Sequence, residues 1–412
     1  MKIAVVGSGI SGLSSAYLLS KKHEVDLYEK DSRLGGHART TTIKDDSGKT
    51  LHVDTGFLVF NHATYPLLTK LFEELGVAIE NSNMSFGFWD KGKDFAYNGN
   101  SLGGLFFQKK NLFNLQHYRM ILDIIRFNKK ANHDIMHNPI ALDTSLGEYL
   151  KDFSDVFKER YLIAMGAAIW STPNAQMFDF PAKTFIRFFK NHGLLGFNTQ
   201  HPWKTVSGGS HNYVAKIAQK ISGKIILDAA IRSVARSKEK VYISFEQGEV
   251  KEYDKIVFAL HAPDALRLLS DASEAEKEIL AAFSYIPNKA YLHTDNSKLY
   301  ADRKIYCAWN YKANNDSEKA TLSYWLNTLQ NLDTKQDFFV SLNEDEATQQ
   351  VIEKIAYEHP RFDTKAILMQ GRKSEISGKN NTYYAGAYWR YGFHEDGIFS
   401  GNAIAEEFGC GL

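Results

Sequence analysis

Apolar positions along this chain follow two rhythms, one of strands and one of helices. At the start, Lys2-Ile3-Ala4-Val5-Val6 is a short β-branched run, and beyond a glycine cluster Leu13 to Ser20 repeats its apolar side chains at helical spacing. Glu24 to Tyr28 reads as a second strand. Between residues 61 and 203 helical spacing dominates, in YPLLTKLFEELGV, YRMILDIIRFNKKAN and SDVFKERYLIAMGAAIW. Strand-like runs return in IILDAAIRSV (225–234), in YDKIVFALHAPDAL (253–266), and between 281 and 345 in KAYLHTD, KIYCAWNY and TLSYWLNTL. The last segment, YYAGAYWRYGFHEDGIFSGNAIAEEF (383–408), passes through a turn bracketed by Gly386 and Gly397 into a helix, which the spacing predicts to start near Gly397. No internal repeat or Pro/Ser linker is visible.

The first strand, turn and helix carry Gly7-Ser8-Gly9-Ile10-Ser11-Gly12. Gly7 permits a tight turn, Gly9 lets backbone approach a pyrophosphate, and Gly12 lets the helix pack closely on the strand. The helix start at Ile10 and Ser11 then offers free N–H groups to an anion. Glu29 closes the second strand at about the 20-residue spacing expected of the acid that accepts from ribose hydroxyls. An adenine dinucleotide without a 2′-phosphate is expected, and this motif alone leaves NAD and FAD open.

With 412 residues the chain exceeds one ordinary core, so two or three domains with a cleft between them are expected. Its 44% hydrophobic and 24% charged residues are those of an ordinary globular protein. A net charge of +1 and the lack of a basic arm argue against a nucleic-acid partner. Cys307 and Cys410 alone offer neither a disulfide framework nor a metal site. No leader or spanning run is seen, so the expectation is cytoplasmic residence, with peripheral contact at the inner membrane surface left open.

After Glu29 comes KDSRLGGHART: Gly35-Gly36 again permits close backbone approach, while Arg33 and Arg39 can neutralise a diphosphate. This stretch resembles the second flavin motif of the flavin-containing amine oxidoreductase superfamily, which includes amine oxidases, protoporphyrinogen oxidase and phytoene desaturases. His37 stands where that family has arginine. The resemblance implies noncovalent FAD, since neither cysteine falls where a thioether link would lie. It also implies contacts from Lys30 and Ala38 in this loop, from Thr55, Gly56 and Phe57 in HVDTGFLVF, from Ile231 beside adenine, and from Ala259. In the tail it implies Gly386, Glu395, Asp396, Gly397 and Ile398, with N–H groups near Gly397 and Ile398 aimed at the flavin ring. Closer wording, in FDFPAKTFIRFFKNHGLL, HPWKTVSGGSHNYV and IPNKAYLHTD, is similar to a bacterial subgroup of FAD-dependent oxidoreductases.

The implied fold class is α/β: a discontinuous Rossmann-type FAD-binding domain (1–65, 204–270 and 380–412), joined to an α+β substrate domain with a helical cap, as in amine oxidases and phytoene desaturases. Residues 66–203 form the mainly helical cap, and residues 271–379 supply the sheet and helices of the substrate domain. The activity implied is hydride transfer to flavin N5. His394 occupies the place of one ring of the amine-binding cage, with Phe393 beside it, which lowers the amine reading. Lys289 matches a flavin-side lysine; His192, His394 and Tyr324 are the candidate acid/base groups. Trp309, Tyr384, Tyr388 and Trp389 are expected in the walls, and no metal is expected.

Two basic aromatic stretches point toward a lipid surface and a small-molecule or lipid substrate. One lies between Leu105 and Lys130; the other holds Phe185, Arg187, Phe188, Phe189 and Lys190. The favoured activity is dehydrogenation of a fatty acyl or lipid chain. Amine oxidation, double-bond isomerisation without net electron transfer, and non-catalytic FAD binding are the alternatives.

Overall fold

The computed structural model describes residues 1–99, 101–197, 199–313, 321–344 and 348–412. Its first layer is a five-stranded sheet whose β1 (Lys2–Val6) lies between β2 (Glu24–Tyr28) and the strand Lys255–Phe258; Ile225–Ile226 and Thr382–Tyr384 complete the two edges. Every pairing is parallel. Ile3, Ala4 and Val5 have no exposed surface, as a strand covered on both faces requires. One face is covered by α1 (Ile10–Ser20) and the C-terminal helix His394–Glu407, the other by the meander Ile231–Arg236, Val241–Phe245 and Val250–Tyr253.

The two helices meet through small side chains. A Cβ at Gly401 would stand 2.5 Å from Ser14 Oγ, and one at Gly397 would stand 2.6 Å from Ile10 Cγ2. The C-terminal helix begins at His394, a full turn before Gly397, and the Gly397 N–H donates to Phe393 O at 3.1 Å. The expectation that Gly397 and Ile398 sit at the helix start is corrected accordingly: Phe393 and Asp396 close a capping arrangement earlier in the chain, with the Phe393 N–H donating to the Asp396 carboxylate.

The second layer is a seven-stranded mixed sheet in the order Val351–Pro360, Tyr285–His293, Phe339–Leu342, Thr321–Trp325, Trp309–Ala313, Phe86–Asp90, Phe95–Asn98. Phe86–Asp90 pairs in parallel with Trp309–Ala313, so the segment 66–203 is not helices alone: it adds two edge strands to a sheet built mostly from the later segment. One apolar core runs through both, with Phe127, Phe157, Phe185 and Phe189 of the helical part against Leu292, Tyr311, Leu322 and Phe338 of the sheet. Three helices carry the helical side of this core: Leu115–His137, Ile163–Trp170 and Ala182–Asn191. The second basic aromatic stretch is core rather than surface, because Phe185, Phe188 and Phe189 are all buried.

The run 225–234 divides into two strands in different sheets. Asp228 takes a left-handed φ of 50°, and Ala229 N–H donates to Glu29 O, which turns the chain between them. Among the described residues no helix is long and apolar enough to cross a membrane.

Gly401→Ala places a methyl against Ser14 and Ser15 at the helix crossing. It is expected to lower stability by about 1–3 kcal/mol, the usual effect of overpacking. A urea-unfolding midpoint equal to that of the unaltered chain would contradict the tight crossing.

Candidate active site

A cavity of about 750 Å³ opens between the two layers, running from the loop after β1 to the helices of the inserted segment. At its first end Gly7, Gly9, Ile10 and Ser11 form the wall. A Cβ at Gly12 would come within 1.8 Å of Gly7 O and one at Gly7 within 2.4 Å of Ala259 O, so turn, helix and returning strand are locked backbone to backbone. Gly9 differs: nothing lies within 4 Å of where its Cβ would be. That space sits before the start of α1, which has neither a side-chain cap nor an acid in its first turn. Open backbone at a positive helix end is an anion cradle, and it fits the diphosphate of a dinucleotide.

The neighbouring groups suit the same ligand. Glu29 lines the cavity, its Oε2 accepting from Ser8 N–H at 2.8 Å and Ser8 Oγ at 2.6 Å and its Oε1 from Asp31 N–H at 3.0 Å. Lys30, Arg33, Gly36, His37 and Arg39 follow along the wall. Among the described residues Arg33 donates to carbonyls alone, Gly36 O at 2.8 Å and Leu34 O at 3.3 Å, and burial together with Arg39 holds its pKa below the ordinary value. Arg39 is paired with Glu353. Gly35 and Ala38 shape this loop without lining the cavity: Ala38 N–H donates to Gly35 O at 2.9 Å, and Gly36 packs against Gly9.

Five imidazoles, His37, His192, His261, His359 and His394, line the same cavity. Burial pushes His394 down to about 3, and His359 and His192 to about 4. His37 is driven well below the ordinary value by burial and then by the neighbouring histidines, and burial also lowers His261. His37 stacks on Tyr357 at 4.8 Å, and its Nε2 is buried without a protein partner, aimed where a ligand can supply one. His394 stacks on Phe57 at 3.7 Å, with its Nε2 3.1 Å from Tyr213 OH. His192 stacks on Phe188 at 3.8 Å; its Nδ1 lies 2.9 Å from Phe188 O and must donate there, which leaves Nε2 as a free acceptor.

The far end is built by the helical insertion and the sheet. Met84, Phe86, Met165, Ile169, Trp170, Phe188, Leu194 and Trp203 come from the insertion; Trp309 and Tyr324 cross edge to face at 5.0 Å on neighbouring strands. Trp170, Phe188 and Phe393 form a ring ladder, with Phe188 4.8 Å from Trp170 and 4.9 Å from Phe393.

Among the other expected residues, Gly56, Phe57, Ala259 and Gly386 line the cavity, and Trp309 and Tyr388 stand in its walls. Tyr384 and Trp389 do not; they are packed in the core behind the five-stranded sheet. Lys289 is exposed on its strand and lies outside the lining, although its cross-strand neighbour Ala356 lines the cavity. Ile231 also lies outside the lining, past the turn at Asp228. Thr55 is one step removed, its Oγ1 2.8 Å from Tyr357 OH. Glu395 turns away: its two oxygens accept from Leu67 and Leu68 N–H at 3.0 Å, at the start of the helix Pro66–Leu75. Burial raises Glu395 to about 7 and Asp396 to about 6. Gly12, Gly397 and Ile398 serve packing rather than lining. Sequence spacing missed His261 and His359, which only strand pairing brings to the cavity. Asn288, itself paired with Tyr357, donates its side-chain N–H to His359 Nδ1 at 2.9 Å.

Two outcomes test this geometry. Gly9→Ala is expected to leave the stability of the ligand-free chain within about 0.5 kcal/mol, since its Cβ meets nothing and the residue has a φ of −63°. Its dinucleotide content should nevertheless fall, whereas full occupancy measured by absorbance would contradict the cradle. His394, with its pKa lowered, stays neutral in the folded chain between pH 6.5 and about 3 while the unfolded chain takes up a proton, so stability declines as pH falls through that window. Relative to His394→Phe, the unaltered chain should lose about 1–2 kcal/mol between pH 8 and pH 5. Parallel urea midpoints at the two pH values would overturn the assignment.

Comparison with known proteins agrees with the geometry. Residues 10–305 match the family described as flavin containing amine oxidoreductase. An uncharacterized protein of Methanocaldococcus jannaschii is 26% identical over 253 residues, covering 59% of this chain and 55% of its own length; the chain thus spans about half of that relative. Among solved structures, a CLA-producing fatty acid isomerase from P. acnes has a TM-score of 0.68 at 13% identity, covering 98% of both chains. A putrescine oxidase bound to putrescine has a TM-score of 0.67 at 14% identity, covering 99% of both chains. These two share the fold. The chain belongs to the flavin-containing amine oxidoreductase family, and the cofactor its cradle fits is FAD.

Proposed function

We propose that this oxidoreductase dehydrogenates an uncharged apolar chain, a fatty acyl or related lipid, seated in the far end of the cavity. The observation that carries the reading is the absence of ionic side chains there. Of the described cavity residues supplied by the insertion and by the strands Trp309–Ala313 and Thr321–Trp325, none is Asp, Glu, Lys or Arg. An ammonium group would be desolvated without a carboxylate partner, a penalty of several kcal/mol, whereas CH₂ groups gain about 0.8 kcal/mol each on burial. The fold itself accommodates both classes, as the fatty acid isomerase and the putrescine oxidase indicate by their names. His394 also argues against an amine cage, because one ring face is covered by Phe57 and its Nε2 is engaged by Tyr213.

Bound FAD supplies the hydride acceptor, at N5. The chain's own residues do the rest. The start of α1 with Arg33 holds the anionic end, the Trp170–Phe188–Phe393 ladder aligns an extended substrate, and the apolar walls exclude water. Dehydrogenation also releases a proton, and His192, which lines the apolar end of the cavity, keeps its Nε2 as an unengaged acceptor.

Anaerobic addition of a fatty acyl lipid is expected to bleach the flavin band, while amines leave it unchanged. Bleaching by amines and not by lipids would make the amine reading correct. Turnover under argon without an electron acceptor would identify isomerisation, and inertness toward every substrate class would leave FAD binding alone. His192→Gln should lower the bleaching rate by about 10²- to 10⁴-fold with flavin content unchanged; a rate within twofold would remove His192 from the chemistry.

A further inference from the structure

We propose that the outward face at the start of the helix Leu115–His137, with the turn before it, docks on an anionic lipid bilayer. This helix already buries one apolar stripe, Met120, Ile124, Phe127 and Ala131, in the core. At 100° per residue Leu115, Tyr118 and Leu122 fall on the opposite face, where a helix packed on one side only is normally polar. Leu115 is 83% and Leu122 62% exposed, and Phe113, in the turn just before, is 89% exposed. Leu112 and Tyr118 extend the same patch. Large apolar side chains gathered at such exposure mark a contact surface rather than scatter.

Charge selects the partner. From residue 105 to 134 there are six lysines and arginines against two aspartates, in a chain whose whole net charge is +1. Both acids are buried and already engaged: Asp123 lies 3.3 Å from Arg119 and 3.7 Å from Arg126, and Asp134 lies 2.5 Å from Lys130. Lys110 pairs with Asp94, outside this stretch, whereas Lys109 and Lys129, on the patch margin, have no ion pair among the described residues. An apolar tip ringed by surplus positive charge matches the interface of an anionic bilayer, where rings and leucines enter the acyl boundary and cations remain among the headgroups. A second copy of the chain would instead bring like charges together across the patch.

Farther along, the same helix is tied to the cavity wall. Asn132 on the same helix donates to Leu195 O at 3.0 Å and accepts from Lys190 Nζ at 2.6 Å, tying it to the helix Ala182–Asn191 that carries Phe188 to the ring ladder. Docking here would set the substrate end of the molecule against the lipid phase. The surface stands independently of the substrate assignment, since adsorption requires no turnover.

Flotation of the FAD-loaded protein with vesicles of phosphatidylcholine, alone or with phosphatidylglycerol, tests it. Recovery on the anionic vesicles is expected to exceed that on the neutral ones at least about tenfold at low salt, and to fall at about 0.5 M salt. The double variant Phe113→Asp, Leu115→Asp should lose that tenfold advantage while retaining flavin content and melting temperature, so misfolding is distinguished from lost docking. Equal recovery on both lipids, recovery on neither, or binding that survives the double variant would overturn the proposal. So would a concentration-dependent dimer that the double variant abolishes, which would assign the patch to a second copy.

Discussion

Backbone meeting backbone without side chains between is the constraint on which this protein depends. Gly7 sits against Ala259 O, Gly12 against Gly7 O, Gly56 against His37 O and Gly36 against Gly9. These contacts join segments from across the first 260 residues, and a Cβ at Gly7, Gly12 or Gly56 would fall within 2.4 Å of a carbonyl oxygen. Gly397 and Gly401 extend the same logic to the C-terminal helix, which lies directly on α1. The result is a rigid corner with one unfilled position, Gly9, beside a helix start that has no acceptor of its own. Rigidity here matters because an anion held by amides gains only what the amides do not have to move to provide.

From that corner the cavity changes character along its length. At the nucleotide end the helix dipole and Arg33 give positive potential, with Arg39 offset by Glu353. In the middle, burial keeps the histidines below their ordinary pKa, so near neutral pH they act as flat, stackable hydrogen-bonding rings rather than cations. At the far end rings and thioethers dominate. Charge, neutral polarity and apolar surface thus follow one another, which suits a ligand with an anionic dinucleotide end and gives the last compartment an apolar lining.

Much of the nucleotide end is legible in the sequence because its signals are local. Gly7, Gly9, Gly12 and Glu29 fall within one strand, turn, helix and strand, and their spacing alone dictates the geometry. The tail is legible in kind but not in place. A glycine-rich turn before a helix was visible, yet the helix starts at His394 because Phe393 and Asp396 cap it, and Gly397 then becomes a packing glycine. What could not be read locally depends on distant pairing. Phe86–Asp90 becomes a strand by joining Trp309–Ala313, more than 200 residues later in the sequence. His359 reaches the cavity through its strand's pairing with Tyr285–His293, while Lys289 on that partner strand lies outside the lining. Glu395, itself an expected flavin contact, holds the start of the helix Pro66–Leu75 instead.

The most direct test is a crystal structure of the protein loaded with FAD. The account predicts the diphosphate in the open space before Gly9, bonded by amides at the start of α1, with the ring system toward His394 and the apolar compartment beyond it vacant or holding an acyl chain. A diphosphate bound away from Gly9, or a flavin ring filling the compartment walled by Trp170, Phe188 and Tyr324, would contradict it.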